Sequence, residues 1–238
     1  MKLQILNNIA KEGLSLLEDN NFELVSDQND VSGIVLRSHN LTSLSINDSL
    51  HAIARAGAGT NNINIDNCSE RGVVVFNTPG ANANAVKEMV ICALILSKRD
   101  LVSGNKNLDS IDTENMNDEE ISKNIESMKK QFVGEEIRGK KLSIIGLGSI
   151  GSMVAVQAIN LGMKVKAYDP GLTVDIALGL PSSLEKSDSM ESCFNDADYV
   201  SLHIPLNPTT EGIVNKDKLS LLNKNSVLIN FSRGGIVN

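Results

Sequence analysis

The 238-residue chain has no tryptophan, and only 3% of its residues are aromatic, which leaves too few flat rings for base-stacking platforms or large aromatic anchors. Basic residues are outnumbered, 22 Lys and Arg against 29 Asp and Glu, for a net charge of −7. With no basic stripe in the sequence, nucleic acid is not an expected partner. No apolar run reaches the roughly 18 residues that a membrane span needs. The N-terminus, MKLQILNNIAKEG, has neither a signal-peptide core nor a cleavage site, so a cytoplasmic protein without a membrane partner is expected. The three cysteines, Cys68, Cys92 and Cys193, lie far apart with no CxxC or zinc spacing, and they read as reduced structural thiols with no metal site. What is present is 41% hydrophobic content, enough to build one or two domains with real cores.

The most informative run is residues 142–151, LSIIGLGSIG. A strand-like stretch from Leu142 to Ile145 leads into Gly146-x-Gly148-x-x-Gly151, with Ser149 and Ile150 inside the turn, and then into a helical pattern that closes at Gly162. The first glycine suits a tight turn, the second lets backbone approach a pyrophosphate, and the third lets helix and strand pack closely, with the helix N-terminus facing the anion. A second strand, Lys164 to Tyr168, ends at Asp169, 18 residues past Gly151. A carboxylate there accepts hydrogen bonds from a ribose 2′-hydroxyl and repels a 2′-phosphate, so the expected cofactor is NAD, not NADP.

Along the chain, strands are expected at about residues 3–7, 22–25, 33–36, 52–54 and 73–76, separated by helical or turn-rich segments such as Ile9 to Glu18 and Asn64 to Arg71. Strands alternating with helices imply a parallel sheet. An apolar helix follows from about Ala83 to Arg99, with apolar residues on more than one face, which predicts burial between two units. Gly104 to Glu120 is polar and reads as a boundary crossing. Asn117 with Glu120 forms a capping-box start for a helix carrying Ile121, Ile125, Met128 and Phe132 on one stripe. A second α/β unit then runs from Leu142 through strands at about 164–168, 198–204 and 226–231. The predicted domains are residues 1–98 and 99–238.

Other segments carry candidate chemistry beside a plainer reading. Arg55-Ala56-Gly57-Ala58-Gly59 follows a strand, but the third fingerprint position is Asn62, so the turn suits a small anion such as a carboxylate, or is only a tight turn. Arg37 and Ser38 also end a strand, where open α/β sheets bind ligands; the arginine would pair with a phosphate or carboxylate, or is simply solvated. Asn77-Thr78-Pro79-Gly80 is turn chemistry first. Near the C-terminal end of the sequence, the strand at 227–231 delivers Arg233 ahead of Gly234 and Gly235. A guanidinium there is suited to grip a 2-oxo acid's carboxylate and stabilise charge on its carbonyl oxygen, or it sits in a salt bridge beside a glycine turn.

The set GLGSIG, Asp169, HIPL at 203–206, NFSRGGIVN at 230–238, RAGAGTNNI at 55–63 and NTPGANANAVKE at 77–88 resembles the D-isomer-specific 2-hydroxyacid dehydrogenases, in the right order over essentially the whole chain. Within that family the chain looks most like the bacterial-type branch that oxidises 3-phosphoglycerate to 3-phosphohydroxypyruvate, the first step of serine biosynthesis. The resemblance implies an α/β protein with a flavodoxin-like substrate domain, a Rossmann NAD-binding domain that is incomplete at its C-terminus, and catalysis in the cleft between them. It makes Arg233 the catalytic, substrate-orienting arginine. Arg37, Ser38, Gly57, Ala58 and Gly59 become substrate contacts. Gly146, Gly148, Ser149, Ile150, Gly151, Asp169, His203, Ile204, Pro205, Phe231, Ser232 and Arg233 become the cofactor lining. A small phosphorylated hydroxy acid would be the substrate, and a homodimer or higher homo-oligomer the assembly.

Two departures stand out. Ala58 and Ile204 occupy positions where the family often has Thr, which removes two hydroxyl contacts. The family also places a Glu and a proton-exchanging His downstream of its arginine, whereas His39, His51 and His203 all precede Arg233 here. Substantial turnover by these 238 residues alone is therefore not expected. The alternatives are a dehydrogenase for another D-2-hydroxy acid, such as lactate or glycerate, and a non-catalytic NAD(H)-binding dimerisation module.

Overall fold

Short apolar runs bounded by turns dictate ten strands among the described residues, and all of them pair in parallel. The computed structural model describes residues 1–26 and 30–238, which divide into two compact units, Met1–Asn82 and Ala83–Asn238.

In the first unit, β1 (Lys2–Leu6), β2 (Glu23–Val25), β3 (Gly33–Leu36), β4 (Ala52–Arg55) and β5 (Val74–Phe76) form a sheet in the order β2-β1-β3-β4-β5, accompanied by helices α1 (Lys11–Asp19) and α2 (Ile65–Glu70). This is the flavodoxin-like order, whose topological switch lies between β1 and β3. The register sets Leu3 beside Gly33, Gly33 beside Ala52 and Ala52 beside Val74. Strand alternation then turns Ile34, Leu36 and Ile53 to one face, where they are buried with Leu41, Leu50, Ile63 and Cys68.

The second unit opens with three helices, α3 (Ala83–Leu96), α4 (Leu101–Asp109) and α5 (Asp118–Lys129). It continues with β6 (Lys141–Ile145), α6 (Ser149–Asn160), β7 (Lys164–Tyr168), α7 (Val174–Leu178), β8 (Glu185–Lys186), α8 (Met190–Phe194), β9 (Tyr199–Leu202), α9 (Lys216–Leu219) and β10 (Val227–Asn230). The sheet order β10-β9-β6-β7-β8 matches five strands of the classic doubly wound sheet, with its switch between β6 and β9. As the central strand, β6 is buried on both faces from Leu142 to Ile145, which explains why that stretch is apolar apart from Ser143. Leu142 and Ile144 pack on Val154, Ala155 and Ala158 of α6 and on Val90 and Leu94 of α3. Ile145, Val200 and Leu202 pack on Met190, Cys193 and Phe194 of α8.

Three expectations need correction. The division falls after Asn82, not after residue 98, because Val90 and Leu94 complete the core over α6 and bind α3 to the second unit. That helix is not buried all round: Met89 and Leu96 are exposed, so its second apolar face lies open. Residues 101–109 are helical, not a polar crossing; α4 buries none of its residues, so it lacks the apolar stripe that sequence reading depends on, and Asp100 caps it by accepting from the Ser103 N–H at 3.0 Å. The capping box of Asn117 and Glu120 forms as expected. Cys68 and Cys193 are buried thiols, whereas Cys92 lies exposed on α3. No helix among the described residues is long and apolar enough to cross a membrane.

Because Leu94 is fully buried where α3 meets α6, Leu94→Ala should destabilise the second unit by about 2–5 kcal/mol. A urea titration followed by circular dichroism would show this as a lower midpoint with an unchanged slope.

Candidate functional site

The carboxyl edge of the second sheet gathers the glycine turn, Asp169, residues 203–205 and residues 231–233 around the β6/β9 switch. Each glycine of the turn meets a different demand. Gly146 has φ +94°, and a Cβ there would lie 2.7 Å from the His203 carbonyl oxygen and 2.9 Å from the Ile204 side chain. Gly151 sits so close beneath the turn that a Cβ would come within 1.9 Å of the Gly146 carbonyl oxygen. Gly148 faces open space and is exposed with Ser149, while Ile150 is half-buried.

Gly148 is the residue at the N-cap of α6, and it supplies no side-chain cap. The other helices from α4 onward are capped by Asp100, Asn117, Thr173, Ser189 and Asn215. The first-turn amides of α6 thus retain donors and a partial positive charge beside an open surface, which fits the pyrophosphate of a dinucleotide.

Asp169 follows β7 and is already engaged. One carboxylate oxygen accepts from the Leu147 N–H at 2.7 Å and the other from the Gly171 N–H at 2.8 Å. Each oxygen keeps a further lone pair for a ribose hydroxyl. The carboxylate therefore braces the glycine turn as well as presenting charge beside it.

His203 extends the ladder beyond β9 by donating its backbone N–H to the Ile145 carbonyl at 2.7 Å. Its ring Nε2 lies 2.9 Å from the hydroxyl of Ser201, which is fully buried one strand period earlier. Burial pushes the His203 pKa down to about 4, so the imidazole is neutral at physiological pH. Next to it, Ile204 packs into the core beneath α8 and Pro205 is exposed. At the end of β10, Phe231 is 39% exposed, the Ser232 hydroxyl donates to the Leu202 carbonyl at 2.9 Å, and Arg233 is exposed.

The substrate-contact candidates of the first unit share the carboxyl edge of the other sheet. Arg37 and Ser38 are exposed at the end of β3. The Ser38 and His39 amides donate to the Asn7 side-chain oxygen at 2.9 and 2.6 Å, and Asn7 itself takes a left-handed conformation at φ +67°. In the glycine turn, the carbonyls of Gly57, Ala58 and Gly59 accept from the Thr78 N–H, the Asn77 side-chain amide and the Arg55 guanidinium respectively. The Ala58 and Gly59 N–H groups are left without an acceptor among the described residues, as an anion-holding turn requires.

Arg55 was not singled out by sequence reading. Its Nε donates to the Arg37 carbonyl at 3.0 Å while its Nη1 holds Gly59, so one guanidinium joins the two loops. Its position as the last residue of β4, in register with Leu36 and one step short of the level of Arg37, was the available signal. Asn7 and Ser201 gave no signal at all. No group of three or more His, Cys, Asp or Glu with metal-holding geometry occurs among the described residues.

Two measurements bear on this edge. Gly151→Ala forces a Cβ into a backbone oxygen, and overpacking of this kind costs about 1–3 kcal/mol. NADH titration should show binding weakened at least about tenfold, the loss that 1.4 kcal/mol represents. His203 is neutral when folded and charges near pH 6.5 when unfolded, so its burial contributes stability above that pH and loses it as pH falls toward about 4. The contribution should decline by up to about 1.4 kcal/mol per pH unit, and urea titrations from pH 7 to pH 5 should show a shallower acid decline for His203→Asn than for the wild type.

Residues 101–238 match the profile of the D-isomer specific 2-hydroxyacid dehydrogenase, NAD binding domain. The chain is 30% identical over 218 residues to a D-3-phosphoglycerate dehydrogenase of Methanocaldococcus jannaschii, an alignment spanning 90% of this chain and 38% of that protein. It is 33% identical over 188 residues to a hydroxypyruvate reductase of Thermotoga maritima, covering 79% of this chain and 55% of the relative. The 238 residues therefore span well under two thirds of the length of these relatives. Among solved structures, the NAD+-bound 3-phosphoglycerate dehydrogenase of Entamoeba histolytica superposes with a TM-score of 0.72 at 25% identity, over all of this chain and 73% of that one. The chain belongs to the D-isomer-specific 2-hydroxyacid dehydrogenase family and carries its NAD-binding domain.

Proposed function

We propose that this chain is part of an NAD-dependent oxidoreductase that interconverts a D-2-hydroxy acid and its 2-oxo acid, with 3-phosphoglycerate and 3-phosphohydroxypyruvate as the preferred pair. The observation that carries the reading is the carboxyl edge of the second sheet, where an uncapped helix start, a glycine turn and Asp169 lie around one switch point, with Arg233 following the neighbouring strand β10. NAD, when bound, supplies the hydride acceptor. The chain's own groups do the rest: the α6 amides hold the pyrophosphate, and Asp169 accepts from the ribose while bracing the turn. Ser149, Ile150, His203, Ile204, Pro205, Phe231 and Ser232 line the same edge. Arg233 orients the substrate carboxylate with its fork of donors and stabilises charge on the carbonyl oxygen.

Arg37, Ser38 and the turn from Gly57 to Gly59 are the first unit's own contacts for an anionic group of the substrate. A phosphorylated substrate is supported by this cation and its neighbouring unused amides, and by relatives named as phosphoglycerate dehydrogenases. The likeness to a hydroxypyruvate reductase supports the unphosphorylated 2-oxo acid as the second reading. His203 is not assigned the proton-transfer role, because it is half-buried with its ring bonded to Ser201. The same reading carries a first domain devoted to substrate and a cytoplasmic homo-oligomer, for which the exposed Leu101 and Val102 of α4 offer apolar surface.

The test is NADH-dependent reduction of 3-phosphohydroxypyruvate, hydroxypyruvate and pyruvate by the full-length protein and by its Arg233→Lys variant. The phosphorylated acid should give the highest kcat/KM. Arg233→Lys should lower it at least about a hundredfold, in kcat as well as KM, because a point charge cannot replace a planar fork that strengthens in the transition state. Unchanged kcat/KM in the variant would make Arg233 a structural residue.

A further inference from the structure

Asn230 is the last residue of β10, paired in register with Leu202 of β9, and it lies three residues before Arg233. Its side chain closes the turn between them. The side-chain oxygen accepts from the Ser232 N–H at 3.0 Å, and the side-chain nitrogen donates to the Arg233 carbonyl at 2.8 Å. Only one orientation of the amide satisfies both partners, so the clamp uses the acceptor and the donor together.

Its surroundings make this clamp a positioning device. Arg233 has extended backbone, φ −139° and ψ 142°, and its carbonyl also accepts from the Ile236 N–H at 3.3 Å where the next helical turn begins. That carbonyl is held from both sides. Ser232, between the two clamped groups, is anchored to β9 through its hydroxyl bond to Leu202, and its own carbonyl accepts from Arg233 Nη1 at 2.9 Å. Three hydrogen bonds thus tie Ser232 and the Arg233 backbone to the ends of β9 and β10, and a fourth holds the exposed guanidinium to the Ser232 carbonyl; the guanidinium has no carboxylate partner among the described residues. A long, rotamer-rich side chain that must meet a planar carboxylate otherwise loses conformational freedom on binding.

We propose that Asn230 is a positioning residue that presets the Arg233 guanidinium for the substrate carboxylate; the inference rests on the reading of Arg233 as the carboxylate-gripping group. Alanine removes both clamp bonds. Aspartate keeps the acceptor for Ser232, loses the donor to Arg233 and sets a negative charge beside the guanidinium that competes with the ligand.

Oxalate, a planar dicarboxylate, serves as the probe. Its affinity for the full-length protein saturated with NADH can be followed by NADH fluorescence for the wild type, Asn230→Ala, Asn230→Asp and Arg233→Ala. Loss of one or two net hydrogen bonds corresponds to about a fivefold to thirtyfold weakening. Asn230→Ala should fall in that range and Asn230→Asp should bind more weakly still, while NADH affinity stays within about twofold and melting temperature is little changed. Retained oxalate affinity in both Asn230 variants, with loss in Arg233→Ala, would overturn the positioning role alone. Parallel loss of NADH and oxalate affinity, or unfolding of both Asn230 variants, would show a general structural role and overturn it too. If wild type binds no oxalate, or Arg233→Ala binds it as wild type does, the reading of Arg233 itself falls.

Discussion

The close approach of α6 to the turn that precedes it is the constraint on which the second unit depends. A Cβ on Gly151 would lie 1.9 Å from a backbone oxygen, far inside van der Waals contact, and one on the first glycine would lie 2.7 Å from the backbone oxygen beyond β9, too close as well. The helix axis, the turn and the β6/β9 pair are therefore fixed against one another by absence of side chains. From that contact follow the packing of α6 under Leu142 and Ile144, the seating of α3 over α6, and the exposure of unpaired amides at the open end of the helix. A core of this kind transmits small displacements, because close-packed interiors have no slack to absorb them.

The sequence was most legible where one residue type has one physical reason to be present. Glycines between a strand and a helix, an acid at the end of the next strand, and an apolar central strand all announced the second sheet, and β6, α6 and β7 lie where they were expected. The alternation of Ile34, Leu36 and Ile53 did the same for the first sheet. Legibility failed where burial is partial. The helix α4 buries none of its residues, so nothing periodic marks it, and the short segments β8 and α7 to α9 have only two to five residues from which to read a pattern. The assignment of α3 failed for another reason: its apolar surface is visible in sequence, but which sheet it covers is a property of tertiary packing.

Among candidate site residues, those at strand ends were legible and those acting through backbone groups were not. Arg37 and Arg233 end strands as cations, and sequence reading finds such groups. Arg55 also ends a strand, but its role is to hold the carbonyls of Arg37 and Gly59, partners defined only once β3 and β4 are in register. The side chain of Asn7 holds two amides from a loop some thirty residues away, through a left-handed conformation that asparagine tolerates. Ser201 reads as an ordinary strand residue until the fold sets its hydroxyl on the ring of His203.

The double engagement of Asp169 has a consequence for any effort to redesign cofactor choice. Replacing the acid with a small apolar residue removes the repulsion that a 2′-phosphate would meet, yet it also strands the buried-side amide of Leu147 and releases the turn after β7. On the proposed reading of Asp169 as the ribose-binding acid, selectivity and loop order are vested in the same two oxygens. A redesign that retains a neutral side-chain acceptor at this position separates the two roles, and the cation for the phosphate then has to come from another position on the edge, since no single side chain here can both accept from two backbone amides and attract an anion.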